Sequence, residues 1–114
     1  MRHVVEQPDN RALSEPVLLI LLSLADQPRH GYALMKDIES LSDGRVRMGT
    51  GTLYGALRRL LQDQWIERFE QPDTSRDKQA YRLTESGRNQ LRHEVERMTQ
   101  LTLVANSRMR TKEA

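Results

Sequence analysis

Cysteine is absent from the 114 residues, which removes disulfides, thiolate zinc sites and cysteine nucleophiles from consideration. Aromatic residues are nearly as scarce. One Trp, one Phe and three Tyr leave the core to aliphatic side chains. No long hydrophobic run occurs either. The longest, Pro16 to Leu22, falls far short of the ~20 residues needed to span a bilayer. The opening MRHVVEQPDN has no apolar stretch of the kind a signal peptide carries. The expectation is a cytoplasmic protein with no membrane partner. Charge of one sign is also lacking overall: 18 Lys and Arg against 16 Asp and Glu give +2. The imbalance is local, with ten basic residues against six acidic ones between Arg45 and Arg92.

Catalytic patterns are missing too. His3, His30 and His93 share no motif such as H-E-x-x-H. The stretch GTGTLYG at 49–55 lacks the Lys-Ser/Thr of a phosphate-binding loop and does not follow a strand. No enzyme, metal site or cofactor is expected.

What is present is an orderly succession of periodic segments. Residues 1–13 are polar and mixed, with a turn signal at Pro8-Asp9-Asn10, and read as an arm or a short extra helix. Ser14 is a candidate N-cap, with Glu15 and Pro16 in the first turn. The helix EPVLLILLSLAD that follows is apolar on nearly every side, which predicts burial among several elements. A second helix begins near His30-Gly31, placing Tyr32, Met35, Ile38 and Leu41 on one stripe with Leu34 beside them. A third runs from about Thr52 to Asp63, with Leu53, Leu57, Leu60 and Leu61 facing inward. The period then changes. WIERFEQ and KQAYRLT are strand candidates around the turn-like PDTSRD. Thr84 caps a final long helix carrying Leu91, Val95, Met98, Leu101 or Thr102, and Ala105.

Helix, helix, helix, hairpin, helix is the order of a winged helix-turn-helix, whose third helix enters the DNA major groove. The fold class expected is therefore mainly α with a small β-hairpin. Its parts are an arm at 1–13, a winged-helix DNA-binding domain at 14–84, and a dimerisation helix and tail at 85–114. The third helix has the chemistry such a reader needs. Gly49, Thr50, Gly51 and Thr52 set small residues at a helix N-terminus, where free backbone N–H groups favour an anion. Opposite its leucines lie Thr52, Gly55, Arg58, Arg59 and Gln62, with Tyr54 at the edge of that face. Gly55 costs about 1 kcal/mol of helix propensity relative to alanine, so its presence suggests that something approaches the backbone there. An Arg-Arg pair on a helix is more often just a solvated face. A winged helix that binds protein instead of DNA is the main rival reading. The polar outer face of the third helix argues against it.

HGYALMKDIESLSDGRVRMGTGTLYGALRRLLQDQWIE, followed by YRLTESGRNQL, resembles the PadR family of bacterial transcriptional regulators. The matching motifs are His30-Gly31-Tyr32, Gly51-Thr52-Leu53-Tyr54 with Ala56-Leu57 and Leu60, and Tyr81-Arg82-Leu83-Thr84 with Gly87. The resemblance covers about 14–98. It implies a dimeric winged-helix repressor of the short branch, bound as a homodimer to a palindromic operator in double-stranded DNA. Small hydrophobic or aromatic effectors, phenolic acids in the namesake members, release such repressors. Carried over to this chain, Thr52, Tyr54, Arg58 and Arg59 lie on the recognition helix, while His30 and Tyr32 stand near the DNA backbone. Together with Thr50, Gln62 and the wing residues Arg76 and Lys78, these make up the expected DNA-binding set. Three departures stand out: Thr50 where relatives often have proline, Gln64 where they have glycine, and a diluted basic run, RDKQAYRLT, on the wing's return strand.

A lone helix after a small domain cannot bury an apolar stripe on its own chain. Leu91, Val95, Met98, Leu101, Thr102 and Ala105, with Leu18 on the first helix, are accordingly expected to meet a second copy. An effector pocket is expected between the final helices and the first helix.

Overall fold

The computed structural model describes residues 11–69 and 79–113. Ser14 caps the first helix, α1 (Glu15–Asp26), by accepting a hydrogen bond from the Val17 amide. The chain leaves α1 through Gln27 and Pro28 into a two-residue strand, β1 (Arg29–His30), then α2 (Gly31–Leu41) and α3 (Thr50–Gln62). Strands β2 (Ile66–Phe69) and β3 (Ala80–Leu83) follow, and α4 (Glu85–Glu113) closes the chain. The expected turn PDTSRD, and with it Arg76 and Lys78, lies outside the described residues, as does the Pro8-Asp9-Asn10 turn signal.

The core has one centre. Leu19, Ile20, Leu21 and Leu24 of α1 meet Leu34 and Ile38 of α2, then Leu53, Leu57 and Leu60 of α3. Ile66, Tyr81 and Leu83 of the sheet, with Leu91 of α4, complete it. As its all-round apolarity requires, α1 touches α2, α4 and β3. Its buried Ser23 is satisfied, since the hydroxyl donates to Asp37 Oδ2 at 2.6 Å. Among the described residues no helix is long and apolar enough to cross a membrane.

The hairpin is a three-stranded antiparallel sheet in the order β1-β3-β2. The extra strand pairs Arg29 with Tyr81 and His30 with Ala80. Two residues carry no readable alternation, and this strand takes His30, which the sequence pattern gave to the start of α2. At the other boundary α3 starts earlier than Thr52, at Thr50, with Gly49 as its N-cap.

Both short helices end in the same way. The Gly44 amide donates to Glu39 O and the Asp43 amide to Ser40 O; after α3, Trp65 donates to Leu60 O and Gln64 to Leu61 O. This is the paired pattern in which the residue after the cap turns left-handed. Asp43 (φ 55°) and Gln64 (φ 64°) take that position without being glycine. At 64 the turn after α3 thus keeps the left-handed form and bears its cost. Gln64→Gly is expected to raise stability by about 0.5–1 kcal/mol, because the released strain exceeds glycine's extra unfolded-state entropy. Urea unfolding checks it, and an unchanged or lowered midpoint would count against strain at that residue.

The same turn is clamped to α4. Thr84 donates its amide to Trp65 O (3.1 Å) and its hydroxyl to Gln64 O (2.6 Å), while Oγ1 accepts from the Gly87 amide (3.0 Å). At ~1.5 Å per residue, the 29 residues of α4 extend about 43 Å. Its first turns belong to the domain: Gly87, Gln90, Leu91 and Glu94 are buried. From Thr99 to Arg110 every side chain is exposed.

Glu94 is the buried acid that the sequence pattern did not single out. Its carboxylate accepts from Arg97 Nε (3.0 Å) and Nη2 (2.7 Å) and from the Leu13 amide (3.3 Å). The Arg97 hydrogen bonds hold its carboxyl below the usual carboxylate range; burial pushes the other way, and the Leu13 amide assists Arg97. This pair ties the segment before α1 to α4.

Candidate nucleic-acid interface

The amphipathic pattern of α3 decides what faces outward. With Leu53, Leu57 and Leu60 buried, Thr50, Gly51, Thr52, Arg58, Arg59 and Gln62 are all exposed. Much of the neighbouring positive charge is already committed. Arg45 pairs with Glu15, Arg47 with Glu39 at 3.2 Å, and Arg82 with Glu67 at 2.8 Å. Arg58 and Arg59 make no ion pair among the described residues. Their charge is therefore available to an external anion.

The outer face is also bare. Among the described residues a side chain at Gly51 would meet nothing within 4 Å beyond its own helix, and one at Gly55 would meet only Arg58 Nη2 at 3.9 Å. Gly55 thus serves no packing among the described residues, which leaves room for an approaching partner. Gly31 is the opposite case: a Cβ there would collide with the Tyr54 hydroxyl and lie 2.7 Å from Tyr54 Cζ. The Tyr54 ring therefore lies over the N-terminus of α2, fixing α3 against it, and is 36% exposed. Beneath it Tyr81 is buried. Burial first, then the neighbouring Tyr54, pushes the Tyr81 phenol above the ordinary tyrosine range, against a downward pull from Arg68.

His30 sits at the N-cap of α2 but gives no side-chain cap hydrogen bond. Its Nδ1 is buried with no hydrogen-bond partner among the described residues. Beside it Tyr32 is 67% exposed, with the Lys36 ammonium 5.5 Å from its ring centroid. These residues border a shallow groove of about 440 Å³ lined by Arg29, Tyr32, Ala33, Lys36, Asp37 and Ser40. The groove runs along α2, away from the α1–α4 contact where an effector pocket was expected. On the sheet, the Arg82 guanidinium lies 4.6 Å from the Phe69 ring centroid while bonded to Glu67. Among the described residues no three of His, Cys, Asp and Glu gather as metal ligands would.

The expected dimer residues separate. Leu91 is buried in the chain's own core, so the start of the stripe needs no partner, contrary to the argument from pattern. Leu18 is partly buried against that core. Val95, Leu101, Thr102 and Ala105 are exposed and Met98 is half-buried. Met109, 61% exposed, lies on the same bearing as Leu91, Met98 and Ala105 at 100° per residue. It was legible by the same count carried one turn beyond Ala105. Lys36 beside Tyr32 was missed because a lysine next to a helical aromatic carries no distinctive spacing.

A tight three-helix unit whose third helix offers an unpaired basic face, followed by a short antiparallel sheet, defines a winged helix-turn-helix protein of the regulatory class. The comparisons agree. Residues 20–93 match the transcriptional regulator PadR-like family, and the chain belongs to that family, whose members are regulators of transcription and not enzymes. It is similar to a transcriptional regulator from Clostridium thermocellum, with 26% identity and a TM-score of 0.66 over 80% of this chain and 89% of that one. A PadR family transcription regulator from Clostridium difficile shares the fold at 21% identity, with a TM-score of 0.69 over 84% and 99% of the two chains. An uncharacterised 37.1 kDa protein in a transposon of Streptomyces fradiae is 40% identical over 85 residues, 75% of this chain. The chain spans only 23% of that relative's length.

Proposed function

We propose that the chain acts in the cytoplasm as a homodimeric, sequence-specific repressor that reads a palindromic operator in double-stranded DNA. The observation that carries this reading is the exposed Arg58–Arg59 pair on the bare side of α3, which no acid among the described residues neutralises. In the proposal Thr50, Thr52, Arg58, Arg59 and Gln62 enter the major groove, with Tyr54 at its edge. His30 and Tyr32 stand at the backbone where α2 begins, and Arg76 and Lys78 contact it from the wing. Residues 14–84 form the reader and 85–114 the dimerisation segment. The exposed stretch of α4, through Val95, Met98, Leu101, Thr102 and Ala105, meets the partner's α4 and Leu18 of its α1. Two readers then address half-sites about 34 Å apart. A small hydrophobic or aromatic effector entering between those helices releases the DNA.

Fluorescence anisotropy with a duplex from the protein's own upstream region, a scrambled duplex and two salt concentrations tests the DNA reading. Binding is expected to prefer the natural duplex and to weaken steeply with salt as counterions are released. Arg58→Ala is expected to cost about 1–3 kcal/mol on the natural duplex and much less on the scrambled one. No preference at either salt, joined by an empty genome-wide pull-down, would turn the reading toward a protein-binding winged helix.

A further inference from the structure

Resting on the DNA-reading role just described, we propose that α3 divides its two arginines: Arg58 reads a guanine in each half-site, and Arg59 holds phosphate. At 100° per residue, Leu53, Leu57 and Leu60 fix the inward direction, and the opposite bearing falls on Gly55 and Gln62. Arg58 and Arg59 leave the helix roughly 50° to either side of that apex. Sequence pattern alone makes them equivalent.

The side-chain positions do not. Apart from its chain neighbours and the helix's own backbone, a side chain at Gly55 would meet, among the described residues, Arg58 Nη2 alone within 4 Å, at 3.9 Å. Arg58 therefore turns back along the helix and brings its guanidinium over the bare residue at the apex. Arg59 places no atom there. A helix lying in the major groove turns its apex to the base edges and its flanks to the phosphate walls. The guanidinium at the apex is thus the one that meets bases. Its planar fork matches guanine O6 and N7 together, which a single ammonium cannot do. Gly55 keeps the space that the fork occupies free of any side chain. Among the described residues no acid holds either arginine, so neither must break such an ion pair to act.

The division predicts different responses to the same conservative change. A duplex is first selected from a random pool by the full-length protein, and a partner duplex is made with the G·C pairs of each half-site replaced by A·T one at a time. The wild-type protein and Arg59→Lys are expected to prefer the selected duplex by on the order of tenfold or more at one such pair. Arg58→Lys keeps the charge, and with it the salt slope, but is expected to bind both duplexes nearly equally. Gly55→Ala fits the free chain at ordinary contact distance. It is expected to unfold at higher urea, yet to lose affinity for the selected duplex. Discrimination kept by Arg58→Lys, or lost by Arg59→Lys, overturns the assignment while leaving DNA binding intact. A pool that yields no preferred sequence with the wild-type protein overturns the DNA-reading role and this inference with it.

Discussion

Gly87→Ala is expected to cost about 3–5 kcal/mol of folding stability, at the extreme of single-residue effects. Propensity argues the other way, since alanine in a helix gains about 1 kcal/mol over glycine. Contact decides the sign. A Cβ at 87 would overlap the Trp65 carbonyl oxygen and lie 2.8 Å from its carbon and 3.0 Å from Trp65 Cα. These are backbone atoms and have no rotamer to change. The Trp65 carbonyl also accepts the Thr84 amide, so moving it breaks the tie between β2 and the cap of α4. Relief requires α4 to lift away from the turn after α3, which takes Leu91 out of the core. Urea denaturation of the variant, beside Arg88→Ala on the exposed side of the same turn as a control, reads the effect. A wild-type midpoint for Gly87→Ala would show that the close approach at Trp65 is absent in solution.

Position 87 shows what the sequence makes legible and what it hides. Gly87 belongs to one of the motifs that carry the family resemblance, but composition and periodicity give no physical reason for it. The reason is a backbone 22 residues earlier in the chain. The α3 stripe could be read because it depends on residues three and four apart: Leu53, Leu57 and Leu60 are inward as their spacing requires. The stripe expected on α2 failed at both ends, since Tyr32 and Leu41 are exposed and Leu34 joins Ile38 in the core. Strand β1 could not, because its two residues are extended only through pairing with β3, far away in the chain. Gln64 is a third kind of case. Its left-handed conformation follows from the way α3 must stop before β2 begins, and side-chain type does not report that need. Glu94 looked like one more charge on a polar helix face, and only the packing of α4 on the segment before α1 makes it a buried anion tied to Arg97 and Leu13.

The candidate site divides along the same line. The exposed polar side of α3 was readable from amphipathicity alone. What the pattern left open was which charges were already neutralised. Arg45 and Arg82 are as basic as Arg58 and Arg59, but their acidic partners lie 30 and 15 residues away. Tyr54 is another example. As a helix-edge aromatic it reads as a DNA contact, but its ring also supports α2 through Gly31. Substitution of Tyr54 therefore perturbs the angle between the two helices as well as any contact it makes, which makes the arginines the cleaner probes of the interface.

The exposed length of α4 carries the other large expectation. Leu101→Glu is expected to convert the proposed dimer to a monomer at micromolar concentration, as read by size-exclusion chromatography with light scattering. In the single chain Leu101 is 54% exposed and makes no part of the core, so the winged helix itself should still unfold cooperatively at the wild-type midpoint. In a two-fold dimer the substitution appears twice. Each leucine removed from an apolar contact costs about 1.5–3 kcal/mol, and the incoming carboxylate must be desolvated or must prise the helices apart. The total of roughly 3–6 kcal/mol or more raises the dimer dissociation constant by on the order of 10² to 10⁴. Gln100→Glu, on the side of α4 opposite the centre of the stripe from Val95 to Ala105, introduces the same charge and is expected to leave the mass unchanged. DNA binding should follow the mass. Without the partner's reader, the monomer loses preference for a two-half-site duplex over a single half-site, although its own α3 is untouched. A dimer that survives Leu101→Glu at micromolar concentration would place the contact elsewhere, and the exposed Leu103 and Val104, on the other sides of α4, would be the next positions to charge.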